Sequence, residues 1–175
     1  MDKCLSICSV RNAVPADLPF YASMFIDEEW LGSTGYRFLD FNTPQKLLKF
    51  ITPQCSKDIK WVVKLTQTNK MIGFCHFKKK PQGYAETDGG IIKMLMNSPT
   101  SIICYIYCID KYFNLGISQE LHSIIYGENK RSLKMNLALG FKPIGHLFYD
   151  SRLFYKAVLT KQSFYSSTIA KRFLK

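Results

Sequence analysis

An apolar stretch at residues 102–113, introduced by Ser98-Pro99-Thr100-Ser101 and closed by Asn114 and Gly116, constrains this chain more than any other feature. A serine ahead of a proline suits a helix entrance, because the hydroxyl can cap and the first turn does not need the N–H that proline lacks. Asparagine and glycine suit the exit, since both tolerate the left-handed backbone that ends a helix. This helix stands between two strand-like segments, 84–96 and 121–126. Neighbouring strands joined through a helix run the same way, whereas antiparallel neighbours need only a tight turn. The chain is therefore expected to contain a parallel pair.

The remaining segments read as antiparallel companions and helices. Residues 5–11 alternate as a strand does, and Pro15, Asp17 and Pro19 open a stretch with Leu18, Tyr21, Phe25 and Trp30 at helical spacing. Thr43 and Pro44 fit an N-cap and first helical position ahead of the stripe Leu47, Leu48 and Ile51. Segments 59–66 and 71–77 are rich in Val, Ile, Phe and Trp around the polar link Gln67-Thr68-Asn69-Lys70, which predicts a hairpin. Gly89 and Gly90 are expected to mark a bulge in the third strand. A helix over 130–139 ends at Gly140, and 141–149 with 153–160 make a last pair of strands. The order β α α β β β α β α β β gives the fold class: α/β, a mixed, mostly antiparallel central sheet with flanking helices.

With 175 residues, a single domain over 1–162 is expected, followed by a basic tail, 163–175. That tail puts Phe164, Ile169 and Phe173 on one helical stripe and Lys171, Arg172 and Lys175 at its end, so it is expected to be a helix packed on its own domain or on a protein partner, including a second copy. Disorder is excluded by 47% hydrophobic and 14% aromatic residues. The longest apolar runs, 102–109 and 91–96, fall far short of the roughly 20 residues that cross a bilayer, so no membrane span is expected. The first ten residues carry Asp2 and no long apolar core, so no signal peptide is expected either. Six cysteines without a CxxC pair read as reduced thiols in a cytoplasmic protein, and no spacing suggests a metal.

The net charge of +11 is uneven. Acidic residues prevail in the first 40 positions, while 41–81 hold nine lysines against Asp58 alone. Such a field favours an anionic partner of some kind. No nucleic-acid motif accompanies it, and aromatic residues in that stretch alternate as core strands do, so nucleic acid is the least favoured partner. The run Lys78-Lys79-Lys80 before Pro81, Gln82 and Gly83 reads as a solvated hairpin tip.

Two local patterns carry a resemblance. Val10-Arg11-Asn12-Ala13-Val14-Pro15-Ala16-Asp17 resembles the strand-to-helix opening of the GNAT superfamily of acyl-CoA-dependent N-acetyltransferases. Asn129 to Phe141, with Ser132 three residues into it and Gly140-Phe141 at its end, is similar to that superfamily's late helix motif. The element order matches over about residues 5–160 as well. The resemblance implies a sheet splayed at its parallel pair, acetyl-CoA held in the splay, and an amine acceptor as second substrate. It implies cofactor contacts at Met96, Ser98, Thr100, Ser101, Asn129 and Ser132.

The chain also departs from that pattern. The loop that cradles the pyrophosphate is usually glycine-rich with a basic residue or Gln, and here Asn97-Ser98-Pro99-Thr100-Ser101 has neither. Asn136 stands where many members present a tyrosine that protonates the departing thiolate, and an amide is no acid. Asn136 is left as a hydrogen-bonding candidate, and Tyr126, Tyr149 and Tyr155 as phenols from other elements. For the base that relieves the amine of its proton, Glu86 or Asp88 is the first candidate and His76 the second. Two functions stay open: an N-acetyltransferase acting by direct transfer, and a GNAT-fold domain without catalysis serving as a binding or structural module, of the kind found in virion-associated phage proteins.

Overall fold

The computed structural model describes residues 6–36, 41 and 43–174. Seven strands form one sheet: β1 (Cys8–Asn12), β2 (Ile59–Leu65), β3 (Met71–Lys79), β4 (Ala85–Ile91), β5 (Glu120–Tyr126), β6 (Lys142–Tyr149) and β7 (Arg152–Thr160), in the spatial order β1-β2-β3-β4-β5-β7-β6. Every neighbouring pair is antiparallel except β4 and β5. Helices α1 (Leu18–Phe25), α2 (Glu28–Thr34) and α3 (Pro44–Ile51) cover one face. The long α4 (Pro99–Asn114) with α6 (Lys161–Ser166) and α7 (Thr168–Phe173) covers the other, and α5 (Lys130–Ala138) joins β5 to β6. No described helix is long and apolar enough to cross a membrane.

The parallel pair is short. Its register holds Ala85 opposite Leu121 and Glu86 opposite His122, and there it stops. Beyond that point β4 stays zipped to β3 as far as Ile91, and β5 stays zipped to β7 as far as Tyr126. Each strand keeps its outer ladder while the two inner edges separate, so the backbone groups on those edges have no ladder partner. The indole N–H of Trp30 donates to the Ile91 carbonyl at 2.7 Å, closing one of them at the splayed end.

The opening motif turns out to be a clamp. Arg11 at the end of β1 grips Asp17 with both guanidinium arms, at 2.7 and 2.5 Å, and the Val14 amide donates to the same carboxylate at 2.9 Å. A bidentate pair of this kind fixes the angle at which the chain leaves the strand and enters α1. Asp17 is nearly inaccessible, and the Arg11 hydrogen bonds hold its carboxyl below the usual carboxylate range.

Several sequence expectations are corrected. The helix over 15–30 is two helices, because Asp27 accepts from the Trp30 amide and starts α2. The strand over 84–96 ends at Ile91 and is followed by a short 3-10 turn, Lys93–Leu95. Gly89 and Gly90 make no bulge; the register shifts lie at Val63/Lys64 and Pro143/Gly145. Those glycines serve close approach instead, since a Cβ on Gly90 would lie 2.7 Å from the Trp30 ring and 2.8 Å from Phe74. The tail is two helices broken at Ser167, whose hydroxyl caps the second. Residue 5 of the first expected strand and Lys175 of the tail lie outside the described residues.

Candidate functional site

The space left by the separating strands is a cleft of about 580 Å³. One wall is β4 with Trp30 and Tyr36 behind it, the other is β5 with Leu147 and Phe154 beyond it, and α4 and α5 close the ends. Of the site residues expected from the sequence, Glu86, Met96, Ser101, Asn129, Ser132 and Asn136 all line this cleft. Ser98 and Thr100 do not. Asp88, Tyr126 and Tyr149 line it as well, whereas Tyr155 does not. His76 is buried behind the β4 wall, with its ring between the Tyr21 hydroxyl at 3.0 Å and the Lys60 ammonium at 3.4 Å.

On the α5 side, Asn129 caps the helix by accepting from the Ser132 amide at 2.9 Å. Asn136, one turn further on, is almost fully buried rather than a surface residue. Its amide N–H donates to the Ser132 carbonyl at 2.8 Å and to the Ser132 hydroxyl at 3.2 Å. Its carbonyl oxygen is buried and has no partner. A buried acceptor left unpaired costs on the order of 1–3 kcal/mol, so a donor arriving in the cleft is rewarded there. The amides of a pantetheine arm are such donors, and this corner of the site fits that group.

The entrance to α4 fits it less well. Ser98 takes the N-cap conformation, but its hydroxyl donates to the Leu95 carbonyl at 2.9 Å and caps nothing. The Ser98 and Ser101 amides donate to the Leu95 and Ser98 carbonyls, and Pro99 has no N–H. The charge that the loop lacks comes from elsewhere: Arg131 reaches across the mouth from α5, donating to Asn97 Oδ1 at 3.0 Å and to Ser101 Oγ at 2.8 Å. Burial lowers the pKa of this guanidinium from its ordinary value, yet it remains a cation at any physiological pH. Arg131 lies inside the late motif, where its sequence position suggests no role; only the fold brings its side chain to the α4 entrance.

Across the cleft, the Tyr36 hydroxyl donates to Asp88 Oδ1. Burial raises the pKa of the Asp88 carboxyl, with the Tyr36 hydrogen bond and the Lys60 charge pulling the other way. Burial and the neighbouring Asp88 push the Tyr36 phenol well above its usual value. The other carboxylate on the wall, Glu86, is paired to Lys80 at 2.6 Å near the closed end of the splay. Tyr36 and Trp30 carry no sequence signal beyond aromaticity; they reach Asp88 and β4 because α2 crosses the splayed edge. Among the described residues no group of three or more His, Cys, Asp or Glu could hold a metal ion.

No protein-family model matches the sequence, and no curated protein matches it. Solved structures do. A spermidine N-acetyltransferase from Vibrio cholerae, in complex with CoA and spermine, is similar with a TM-score of 0.76 at 16% identity, over 91% of this chain and 98% of that one. The aminoglycoside acetyltransferase AAC(6')-Ib, in complex with ribostamycin and coenzyme A, gives 0.76 at 12% identity over 93% and 98%. An uncharacterized protein from Bacillus halodurans gives 0.78 at 10% identity over 95% and 91%. Likeness at such identities concerns the fold.

Proposed function

From the GNAT fold that this chain has, we propose that it is an acetyl-CoA-dependent N-acetyltransferase acting by direct transfer to an amine. The observation that carries the reading is the open splay between β4 and β5, with the unpartnered Asn136 oxygen inside it. In this reading Asn136 accepts an amide N–H of the pantetheine arm, and its neighbours Asn129 and Ser132 shape that wall. Arg131 meets the anionic end of the cofactor, with Ser101 and Met96 forming the adjoining mouth and Ser98 and Thr100 set back from it. Asp88 holds the acceptor nitrogen and takes its proton as the new C–N bond forms and the C–S bond breaks. Glu86, tied to Lys80, tunes the closed end rather than receiving the proton directly. No acid need be supplied for the thiolate, because a CoA thiol leaves readily and positioning of amine against thioester supplies most of the rate.

Calorimetric titration with acetyl-CoA, followed by release of free thiol in the presence of amines, tests this. Saturable heat and amine-dependent thiol release are expected, and Ser101→Glu should weaken cofactor affinity by placing a carboxylate beside the phosphates. Absence of heat at millimolar acetyl-CoA removes the reading. A second reading is favoured by one observation, that two of the α4 entrance amides are already engaged: a GNAT-fold binding or structural module without turnover. Cofactor binding without thiol release for any amine selects it.

A further inference from the structure

The class of acceptor can be narrowed from the charges and rings that the cleft presents, and this step rests on the acetyltransferase reading above. Among the described residues lining the cleft the only carboxylates are Glu86 and Asp88. Glu86 has its cation already, Lys80 at 2.6 Å. Asp88 has a phenol donor, Tyr36, and among the described residues no cation bonded to it, the charge of Lys60 acting on it from behind the wall. Among the described residues the cleft thus offers one carboxylate without a cation in an ion pair with it.

What surrounds that point is aromatic. Tyr36 stacks on Trp30 with centroids 5.2 Å apart and 14° between planes, and both are buried. Phe74 adjoins Tyr36 at 5.9 Å, and the bare backbone of Gly90 lets Trp30 and Phe74 lie close over β4. The Trp30 N–H is spent on the Ile91 carbonyl, so the indole contributes surface and π density but no donor. Leu147 and Phe154 make the opposite wall. An ammonium is at home beside a carboxylate among ring faces, and a planar apolar body fills the rest of such a cavity. A second or third ammonium would find no counter-charge, and an unpaired buried cation is costly.

The geometry points to an acceptor with a single primary ammonium on an aromatic or otherwise apolar body, seated with its nitrogen at Asp88 beside the Tyr36 hydroxyl and its body against Leu147 and Phe154 on the opposite wall. Polycations such as polyamines and aminoglycosides are excluded by the same count of carboxylates. On transfer, the ammonium gives one proton to Asp88, the freed lone pair bonds to the acetyl carbon as the C–S bond breaks, and the second nitrogen proton passes to the departing CoA sulfur, leaving the amide, the CoA thiol and a protonated Asp88.

The test uses the full chain. Tryptamine, its uncharged isostere tryptophol, spermidine and kanamycin are titrated by calorimetry without acetyl-CoA, and the three amines are then assayed for thiol release with it. Tryptamine is expected to bind at least tenfold tighter than tryptophol and to show a kcat/KM at least tenfold above spermidine and kanamycin. Asp88→Asn, checked for an intact thermal transition, should raise the tryptamine Kd at least tenfold. Equal binding of tryptophol and tryptamine, preference for spermidine or kanamycin, unchanged affinity in Asp88→Asn, or no amine binding at all each overturns the inference. Charge-dependent binding of tryptamine without thiol release for any amine leaves the inference standing and removes the acetyltransferase reading; thiol release with spermidine but not tryptamine does the reverse.

Discussion

Asp88 and His76 sit opposite one another in the register of β3 and β4, and burial pushes their pKa values in opposite directions. For Asp88, the folded value lies above the ordinary carboxyl value of about 3.9, so the native state holds its proton more tightly than the unfolded chain does. Stability on this account is fullest in acid and is lost as pH rises through the folded value. Asp88→Asn should therefore raise the melting temperature at pH 7 and change it little near pH 3.5, even as it damages amine binding; scanning calorimetry at the two pH values checks this. His76 works the other way. Its ring is held neutral by burial and by Lys60, with Tyr21 against its other nitrogen and Asp88 beside it on the next strand. The unfolded chain takes up a proton as pH falls through about 6.5 and the native chain does not, so stability falls from there downward, by at most about 1.4 kcal/mol per pH unit for one proton. His76→Gln should flatten the loss between pH 6.5 and 5 in urea titrations. The difference between wild type and variant isolates the imidazole, because Asp88 contributes to both and the Arg11-held Asp17 titrates lower.

Two helix entrances face each other across the mouth of the cleft, and Arg131 is what ties them. Its arms span Asn97 and Ser101, so removing it loosens the loop ahead of α4 and takes away the cation that the proposed reading assigns to the anionic end of acetyl-CoA. Arg131→Ala is expected to raise the KM for acetyl-CoA roughly tenfold, about 1.4 kcal/mol, while leaving the amine Kd within twofold. A change confined to amine affinity would contradict that division of labour. The contrast between the two entrances also explains what could be read beforehand. Asn129 capping Ser132 and Gly140 at a φ of +98° follow local rules, and the α5 element is legible residue by residue. The helical run 102–113 between the strand-like segments 84–96 and 121–126 likewise announces a parallel pair. Nothing local announces that Gly90 is there for rings contributed by Trp30 and Phe74, since that contact joins residues from α2, β3 and β4. The same holds for Asp88 meeting Tyr36 and for Asn136 being buried: strand alternation and motif position point to these residues, and only the packing of distant elements supplies their surroundings.

At the scale of the whole molecule, the basic C-terminal segment is part of the core. Phe164 is fully buried with its ring 5.8 Å from Phe113, Ala170 is equally inaccessible, and Ile169 and Phe173 pack against the same cluster. Polar contacts anchor the segment too, with the Tyr165 hydroxyl donating to Asp110 at 2.7 Å and Lys161 to the Phe113 carbonyl at 3.3 Å. Of the two expectations for the stripe, its own domain or a partner, the first is what is seen, with α4 covering it, while Lys171 and Arg172 stay exposed and add to the positive field. Because α4 carries the mouth of the cleft at its other end, loss of the segment should act on the site through the fold. Phe164→Ala is expected to cost about 3–5 kcal/mol, the range for emptying a buried aromatic site, and deletion of residues 163–175 more than that. Against a typical domain stability of roughly 5–15 kcal/mol, the deletion should leave the chain largely unfolded at 37 °C, visible as a lost cooperative transition in far-UV circular dichroism. If the truncated chain instead melts like the full one and differs only in elution volume, the segment serves assembly and its buried aromatic contributes little to holding α4 in place.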